Sequence, residues 1–384
     1  MITGNGYDST SKKTSLMVID LKTGDKLYEI DTDTASNGLS SPVVLDKDSD
    51  KVADYVYAGD QSGNVWRFKL QAKTDATTSA TKFFTTQGNQ PVTGAPAIYK
   101  IPAGGYMLYV GSGRMIYENT TVNDRTTTYA QSLYGIYDDL TKSNLTYSST
   151  TFIQNGEIST KTGDTASIDG STTSSSGANK GASVDFRETT PITLTDSIGP
   201  GGTKSGWVFN MNATNGERMI YQPIVALGRL YFTTQVLKGT DKVCSNVNQQ
   251  SGWVMALDLM TGGAPSSPAF DLNGDGKLNS AATSPDGDVV TFSDGKTKAP
   301  AGIDYHIGIP SALAVTFTKT VVNLGDYLTS DSGQLGSYPY PSSTSSNEVL
   351  NFHVGGTGGT NGNAAAGKLL PWGRCRWWSA YCPA

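Results

Sequence analysis

Short runs of alternating apolar and polar residues recur along the chain, separated by turns rich in glycine, asparagine and aspartate. Tyr55-Val56-Tyr57 is β-branched and aromatic, Gln61-Ser62-Gly63-Asn64 is turn chemistry, and Val65-Trp66-Arg67-Phe68 alternates apolar with polar, a pattern that predicts a β-hairpin. A weak repeat, an apolar strand ending in an acidic or amide residue and a Thr/Asn-Gly turn, can be read over Ser15–Gly24, Gly206–Gly216 and Gly252–Gly262. More degenerate copies run over Tyr55–Leu70, Gly105–Gly113 and Ser132–Asp138. Self-similar strand–turn units at this spacing fit four-stranded blades of about 40–50 residues, so the expected fold is an all-β propeller.

Two stretches are too polar for blades: 163–181, rich in Ser, Thr and Gly, and 338–367, which contains Gly355-Gly356-Thr357-Gly358-Gly359. They read as long surface loops or flexible insertions, because little apolar area is available to offset ordering entropy. The remainder leaves room for about five or six blades in one domain over 1–384. The ring is expected to be incomplete, with imperfectly closed first and last blades, as in a fragment of a longer protein.

Composition sharpens this picture. Forty-four glycines and a hydrophobic fraction of 37% suit many short strands and predict very little helix. A formal charge of −5 and a pI near 5.1, without a basic cluster, argue against binding nucleic acid or an anionic membrane. No run of eighteen apolar residues exists, and the first thirty residues lack the basic and apolar regions of a signal peptide. Of three cysteines, Cys375 and Cys382 are close enough to close a short disulfide loop, which would suit an exported protein, and Cys244 could take either as partner.

The candidate chemistry is metal binding. Asp46, Asp48, Asp50 and Asp54 stand at positions one, three, five and nine of a loop, and the Val52 carbonyl at position seven completes an all-oxygen set suited to calcium. Lys51 replaces the usual glycine at position six, and Tyr57 stands where a bidentate glutamate would be at position twelve, which makes this a nine-residue variant without flanking helices. A second loop offers Asp271, Asn273, Asp275, the Lys277 carbonyl and Asn279 at the same positions, with Gly276 supplying the turn. Its lower charge predicts weaker binding, and an Asx-turn loop without an ion is the alternative.

The string from Asp46 through Asp54 to Asp60, Gly63, Asn64 and Val65-Trp66-Arg67-Phe68 resembles the C-terminal propeller of the PilC/PilY family of type IV pilus tip proteins. Gly4-Asn5-Gly6-Tyr7, Asn37-Gly38-Leu39-Ser40-Ser41-Pro42, Gly216-Glu217-Arg218, Gly252–Asp258 and Gly308–Ser311 are similar to further family landmarks. The resemblance implies a modified quinoprotein-like propeller of about seven blades with one calcium in the nine-residue loop, its ligand roles falling on Asp46, Asp48, Asp50, Val52 and Asp54. It also implies an exported protein at the pilus tip, cell surface or outer membrane and periplasm. There it would support pilus assembly and extension over retraction, contact minor pilins and adhere to a host or abiotic surface. The tail departs from the family pattern, since Gly373-Arg374 is followed by Cys375-Arg376-Trp377-Trp378.

Two rival classes are weaker. A pyrroloquinoline-quinone dehydrogenase would share the blade turns at Asp20–Gly24 and Asp258–Gly262, but the chain has no adjacent cysteine pair, and its metal ligands converge within one loop. Hydrolysis has only His306 and His353 to draw on; His306, between Tyr305 and Ile307, reads as a strand or core residue. The expectation is therefore a non-enzyme. A generic carbohydrate- or protein-binding propeller would use Trp66, Trp207 or Trp253 as platforms, although tryptophans at strand-alternating positions are more often core.

Overall fold

The structure, a computed structural model, describes all residues except 8–11, 34–37, 71–78, 116–123, 125–128, 167–181, 193–195, 237–250, 271, 273–277, 279–287, 307–308, 320–347, 355–367 and 375–384. The alternating runs form antiparallel meanders. β1 (Ile2–Gly4), β2 (Ser15–Ile19) and β3 (Lys26–Asp31) make a three-stranded sheet; β4 (Val43–Leu45), β5 (Tyr55–Gly59), β6 (Asn64–Lys69) and β7 (Ser79–Thr85) make the next. β8 (Ala97–Lys100), β9 (Tyr106–Gly111) and β10 (Ser132–Asp138) begin a third blade, completed by β14 (Gly206–Asn210). Between them come β11 (Leu145–Thr146), which joins the edge of β7, and a hairpin of β12 (Phe152–Ala166) and β13 (Ala182–Thr189). After β15 (Glu217–Arg218) the fourth blade comprises β16 (Ile224–Ala226), β17 (Arg229–Thr233), β19 (Val254–Asp258) and β22 (Gly302–Asp304), with β18 (Gln235–Val236) paired to β15. β20 (Val290–Thr291) and β21 (Thr297–Lys298) form a small hairpin, and β23 (Ala314–Lys319), β24 (Glu348–Val354) and β25 (Lys368–Arg374) a further three-stranded sheet. Among the described residues there is no α-helix, only two 3-10 turns, so the all-β propeller expected from the repeats is the fold.

The apolar cores lie between successive sheets. Leu16 and Ile30 of the first meet Val56, Ala58, Trp66 and Phe68 of the second; Tyr57, Val65 and Phe84 on its other face meet Leu108, Val110 and Ile136 of the third. Tyr109, Trp207 and Phe209 then face Leu230, Phe232 and Leu257 of the fourth. Because side chains alternate across a strand, a blade buried on both faces has apolar residues at every position. Arg67, the polar position of the alternating run in β6, is buried as well. It is 7% exposed, and its Nη1 donates to both oxygens of Asp138 in the neighbouring blade at 2.8 and 2.7 Å.

The β12–β13 hairpin ties two blades by their outer edges, since β12 runs parallel to β14 and β13 antiparallel to β22. One continuous ten-stranded sheet results, and two edges that would otherwise be open to foreign strands are covered. The polar stretches are corrected accordingly. Residues 163–166 extend β12 against β13, and 348–354 form β24, whose run Val349-Leu350-Asn351-Phe352-His353-Val354 carries strand-forming residues that the glycine-rich neighbourhood obscured. The rest of 163–181 and 338–367, together with Cys244, Cys375 and Cys382, lies outside the described residues.

The repeated turn has a packing function. Asp258 Oδ1 accepts from the amides of Met260 and Thr261, which closes the turn, and Gly262 takes φ 68° directly against Trp207. A Cβ there would collide with the indole, whose Nε1 donates to the Leu259 carbonyl at 2.9 Å. Asp20 and Asn212 close their turns in the same way. Trp66, Trp207 and Trp253 are 1%, 0% and 7% exposed, so all three are core rather than ligand platforms.

A second buried ion pair sits where the hairpin meets the third and fourth blades. Arg187 of β13 donates to Glu217 of β15 through Nη1 at 2.7 Å and Nη2 at 3.0 Å, while its guanidinium lies 4.1 Å from the centre of the Trp253 ring. Glu217 also accepts from Thr234 Oγ1 at 2.5 Å and the Asn212 amide at 3.0 Å. Burial alone would raise the Glu217 pKa, but the charge and hydrogen bonds of Arg187, with Thr234 and Asn212, outweigh it and hold the carboxyl below its usual range. A depressed carboxyl contributes stability that is present above the ordinary glutamate value of 4.5 and lost as pH falls through the folded-state value. Glu217→Gln, which leaves Arg187 to the partly exposed Glu157 (Nε to Oε2, 2.8 Å), should cost up to about 3–5 kcal/mol at neutral pH in urea unfolding and make the loss of stability below that value shallower. A cost under about 1 kcal/mol would show that the pair is dispensable.

Candidate metal centre

The loop from Asp46 to Asp54 joins β4 to β5, whose ends pair as Leu45 with Tyr55. Hydrogen bonds from the Asp54 amide to the Leu45 carbonyl, and from the Leu70 amide to the Asp54 carbonyl, fix the loop's exit on the second blade. Within it the backbone turns through two left-handed positions, Ser49 at φ 64° and Lys51 at φ 71°. Lys51 therefore adopts the conformation for which a glycine is usual at position six, at a cost of about 1–2 kcal/mol.

These turns direct amides inward. Asp46 Oδ1 accepts from Ser49 N at 2.6 Å and Asp50 N at 3.2 Å, and its Oδ2 accepts from Lys51 N at 2.8 Å. Asp50 Oδ1 accepts from Val52 N at 2.7 Å. The carboxylates of Asp46, Asp48 and Asp50 each place an oxygen within 4.8 Å of the others, Asp46 half-buried and the other two exposed. Asp54 stands outside this trio, its Oδ2 accepting from Lys47 N at 2.7 Å. The structure thus brings together three of the four predicted carboxylates, and Val52 enters through its amide. The second loop's candidates, Asp271, Asn273, Asp275, Lys277 and Asn279, lie outside the described residues.

Sequence reasoning missed Tyr106, which begins β9 in the next blade and is 7% exposed. Burial raises its phenol pKa, and the negative charges of Asp54, Asp46 and Asp48 raise it further, so the acidic loop acts electrostatically across a blade boundary. No local motif could announce this, because only the fold brings Tyr106 to the loop. His306 was misread in the other direction. At φ 54° its side chain is 45% exposed and its Nε2 lies 3.1 Å from Asp185 Oδ2, on the surface rather than in the core.

Residues 1–172, including the acidic loop and the hairpin after it, match the family model of the PilY1 β-propeller domain. The chain belongs to the PilY1 family. The type IV pilus biogenesis factor PilY1 of Pseudomonas aeruginosa strain PAO1 is 32% identical over 311 residues, covering 73% of this chain and 26% of that protein. A type IV pilus biogenesis factor PilY1 homologue of Xylella fastidiosa strain Temecula1 is 28% identical over 329 residues, 78% of this chain and 20% of the relative. The chain thus spans about a quarter or less of the length of these curated relatives. The crystal structure of the P. aeruginosa PilY1 C-terminal domain superposes with a TM-score of 0.64 at 22% identity, covering 97% of this chain and 69% of that one, which shows the shared fold. These relatives are named as biogenesis factors, not enzymes.

Lys51→Gly tests the loop's backbone. Relief of about 1–2 kcal/mol of left-handed strain, less about 0.5–1 kcal/mol for glycine's extra unfolded-state entropy, predicts a gain of roughly 0.5–1 kcal/mol in thermal or urea unfolding. A loss of stability would mean that the lysine side chain does more than occupy the turn.

Proposed function

We propose that this chain is the propeller part of a type IV pilus assembly and tip protein, in which the loop Asp46–Asp54 holds calcium as a structural ligand. The observation that carries the reading is the convergence of Asp46, Asp48 and Asp50, whose oxygens lie within 4.8 Å of one another. Calcium–oxygen distances of about 2.3–2.6 Å allow ligands on opposite sides of an ion to stand about 4.6–5.2 Å apart, so the trio fits around one ion. The Val52 carbonyl and Asp54 would complete the set from the same loop. The ion supplies positive charge that relieves repulsion among the carboxylates, and no bond-making chemistry is required of it. Four carboxylates favour tight binding and the absent bidentate glutamate opposes it, which puts the dissociation constant in the micromolar range, between extracellular-type loops at ~10⁻⁴–10⁻³ M and the tighter sensors.

The names of the relatives support the pilus reading, and the location of the loop supports a structural switch. The loop joins two strands of one blade, and its carboxylates add to burial in raising the phenol pKa of Tyr106 in the next, so an ion held there would change the field at a joint between blades. On this reading the protein is exported, works at the pilus tip or cell surface with minor pilins, and supports extension over retraction and adhesion to host or abiotic surfaces. A second, weaker calcium at Asp271, Asn273, Asp275, Lys277 and Asn279 belongs to the same proposal. The dehydrogenase alternative has less support, since the curated relatives are named as biogenesis factors.

Asp50→Ala should lower calorimetric calcium stoichiometry by one while changing stability in chelator by no more than about 0.5 kcal/mol, because the lost ligand is exposed. In pilus-bearing cells the same variant should reproduce the effect of calcium withdrawal on the balance between extension and retraction. Undiminished stoichiometry, or normal assembly and retraction with this variant, would remove the loop from the account.

A further inference from the structure

We propose that a pocket on the face opposite the acidic loop binds a neutral sugar, one pyranose unit in size. The two faces follow from strand direction. The acidic loop lies where β4 passes to β5, and β5 then runs to the turn Asp60–Gly63 at the other end of the blade. At that end, segments following β7 and β9, the approach to β10, and Arg218 enclose about 370 Å³. This volume is within the range of small-molecule sites, about 300–1,000 Å³, and near its lower limit.

The walls are held rigidly. Asp60 accepts from the amides of Ser62 and Asn64, from Asn64 Nδ2 and from Trp66 Nε1, which locks the turn that presents Gln61. Gln90 is fully engaged, accepting from Tyr134 Oη and Ser112 Oγ and donating to the Ala130 carbonyl. Two other glutamines of the lining are not: the buried side-chain oxygens of Gln61 and Gln131 have no hydrogen-bond partner among the described residues, and Gln131 is only 4% exposed. Buried amides left unsatisfied in a pocket wall point to a ligand that completes them. Turned about its last torsion, the same amide offers donors instead, so it suits a group that both gives and accepts hydrogen bonds.

Charge and shape narrow the class. Arg114 donates to Asp124 from Nε at 3.1 Å and Nη2 at 3.3 Å, and Arg218 approaches the same carboxylate at 3.8 Å. Arg218 also donates to the Gly216 and Arg114 carbonyls, so both guanidiniums are engaged within the wall, which disfavours a cationic guest and gives an anionic one no dedicated anchor. Polar and apolar surface share the lining about equally, and Tyr129, 55% exposed, supplies an aromatic ring. Amides facing hydroxyls, with an aromatic ring for the C–H face, are complementary to a pyranose. The inference does not depend on calcium at the acidic loop.

Saturation-transfer NMR on the whole chain tests it, with methyl glycosides of glucose, galactose, mannose, N-acetylglucosamine and N-acetylgalactosamine at millimolar concentration and triglycine as the peptide probe. The expected result is transfer to the ring protons of at least one glycoside, unchanged by chelator and in Asp50→Ala. It should be weakened about tenfold or more in Gln131→Leu and in Tyr129→Ala, an exposed position whose substitution leaves folding intact. Three results would overturn the proposal: no transfer to any glycoside, transfer unaffected by both substitutions, or transfer to triglycine alone.

Discussion

Face-to-face packing of successive sheets is the constraint on which the rest depends. No blade here buries its strands alone. Val56, Ala58, Trp66 and Phe68 need the first sheet, and Tyr57, Val65 and Phe84 need the third. The apolar content of β5 and β6 is thus a consequence of being sandwiched. Each joint also carries polar groups that have one satisfactory arrangement. Arg67 meets Asp138 across the second joint, where Tyr57 Oη also donates to Asp138 at 2.7 Å. Arg187 meets Glu217 where the edge hairpin closes on its neighbours. Apolar contact supplies most of the attraction, while these pairs, costly if mismatched, specify the register of one blade on the next.

The acidic loop stands in a different relation to the fold. Its carboxylates are already supplied with backbone donors by the left-handed turns at Ser49 and Lys51, so convergence is written into the main chain. What the amides do not supply is a full countercharge. Four aspartates are accompanied within the loop by Lys47 and Lys51 alone, and their field is felt by Tyr106 of the next blade. An ion at this place would act on a joint between blades. That is the physical content of a structural switch.

Much of this was legible in the sequence because it is local. The Asp-x-x-Thr-Gly turns, the hairpin Tyr55–Phe68 and the spacing of Asp46, Asp48 and Asp50 are set by residues within a dozen positions of one another, and the structure places them accordingly. What escaped depends on residues far apart in the chain. Arg67 reads only as the polar member of an alternating strand until Asp138, seventy-one positions later, is laid against it. The union of two blades by β12 and β13 joins segments from 152 to 304, and neither half of the hairpin signals its destination. Strand β24 was hidden because a glycine-rich neighbourhood dominated the composition of the window around it. Asp54 matched the ligand spacing, yet its carboxylate is turned to the Lys47 amide, a choice made by the loop's path rather than by its motif.

Amide hydrogen exchange with and without calcium addresses the structural-switch reading most directly, because it reports order residue by residue. The account predicts that calcium slows exchange across residues 46–54 and at the neighbouring β9 strand around Tyr106, and leaves the Arg187–Glu217 joint unchanged. Exchange in the acidic loop that is indifferent to calcium, or slowing spread evenly over all blades, would contradict it.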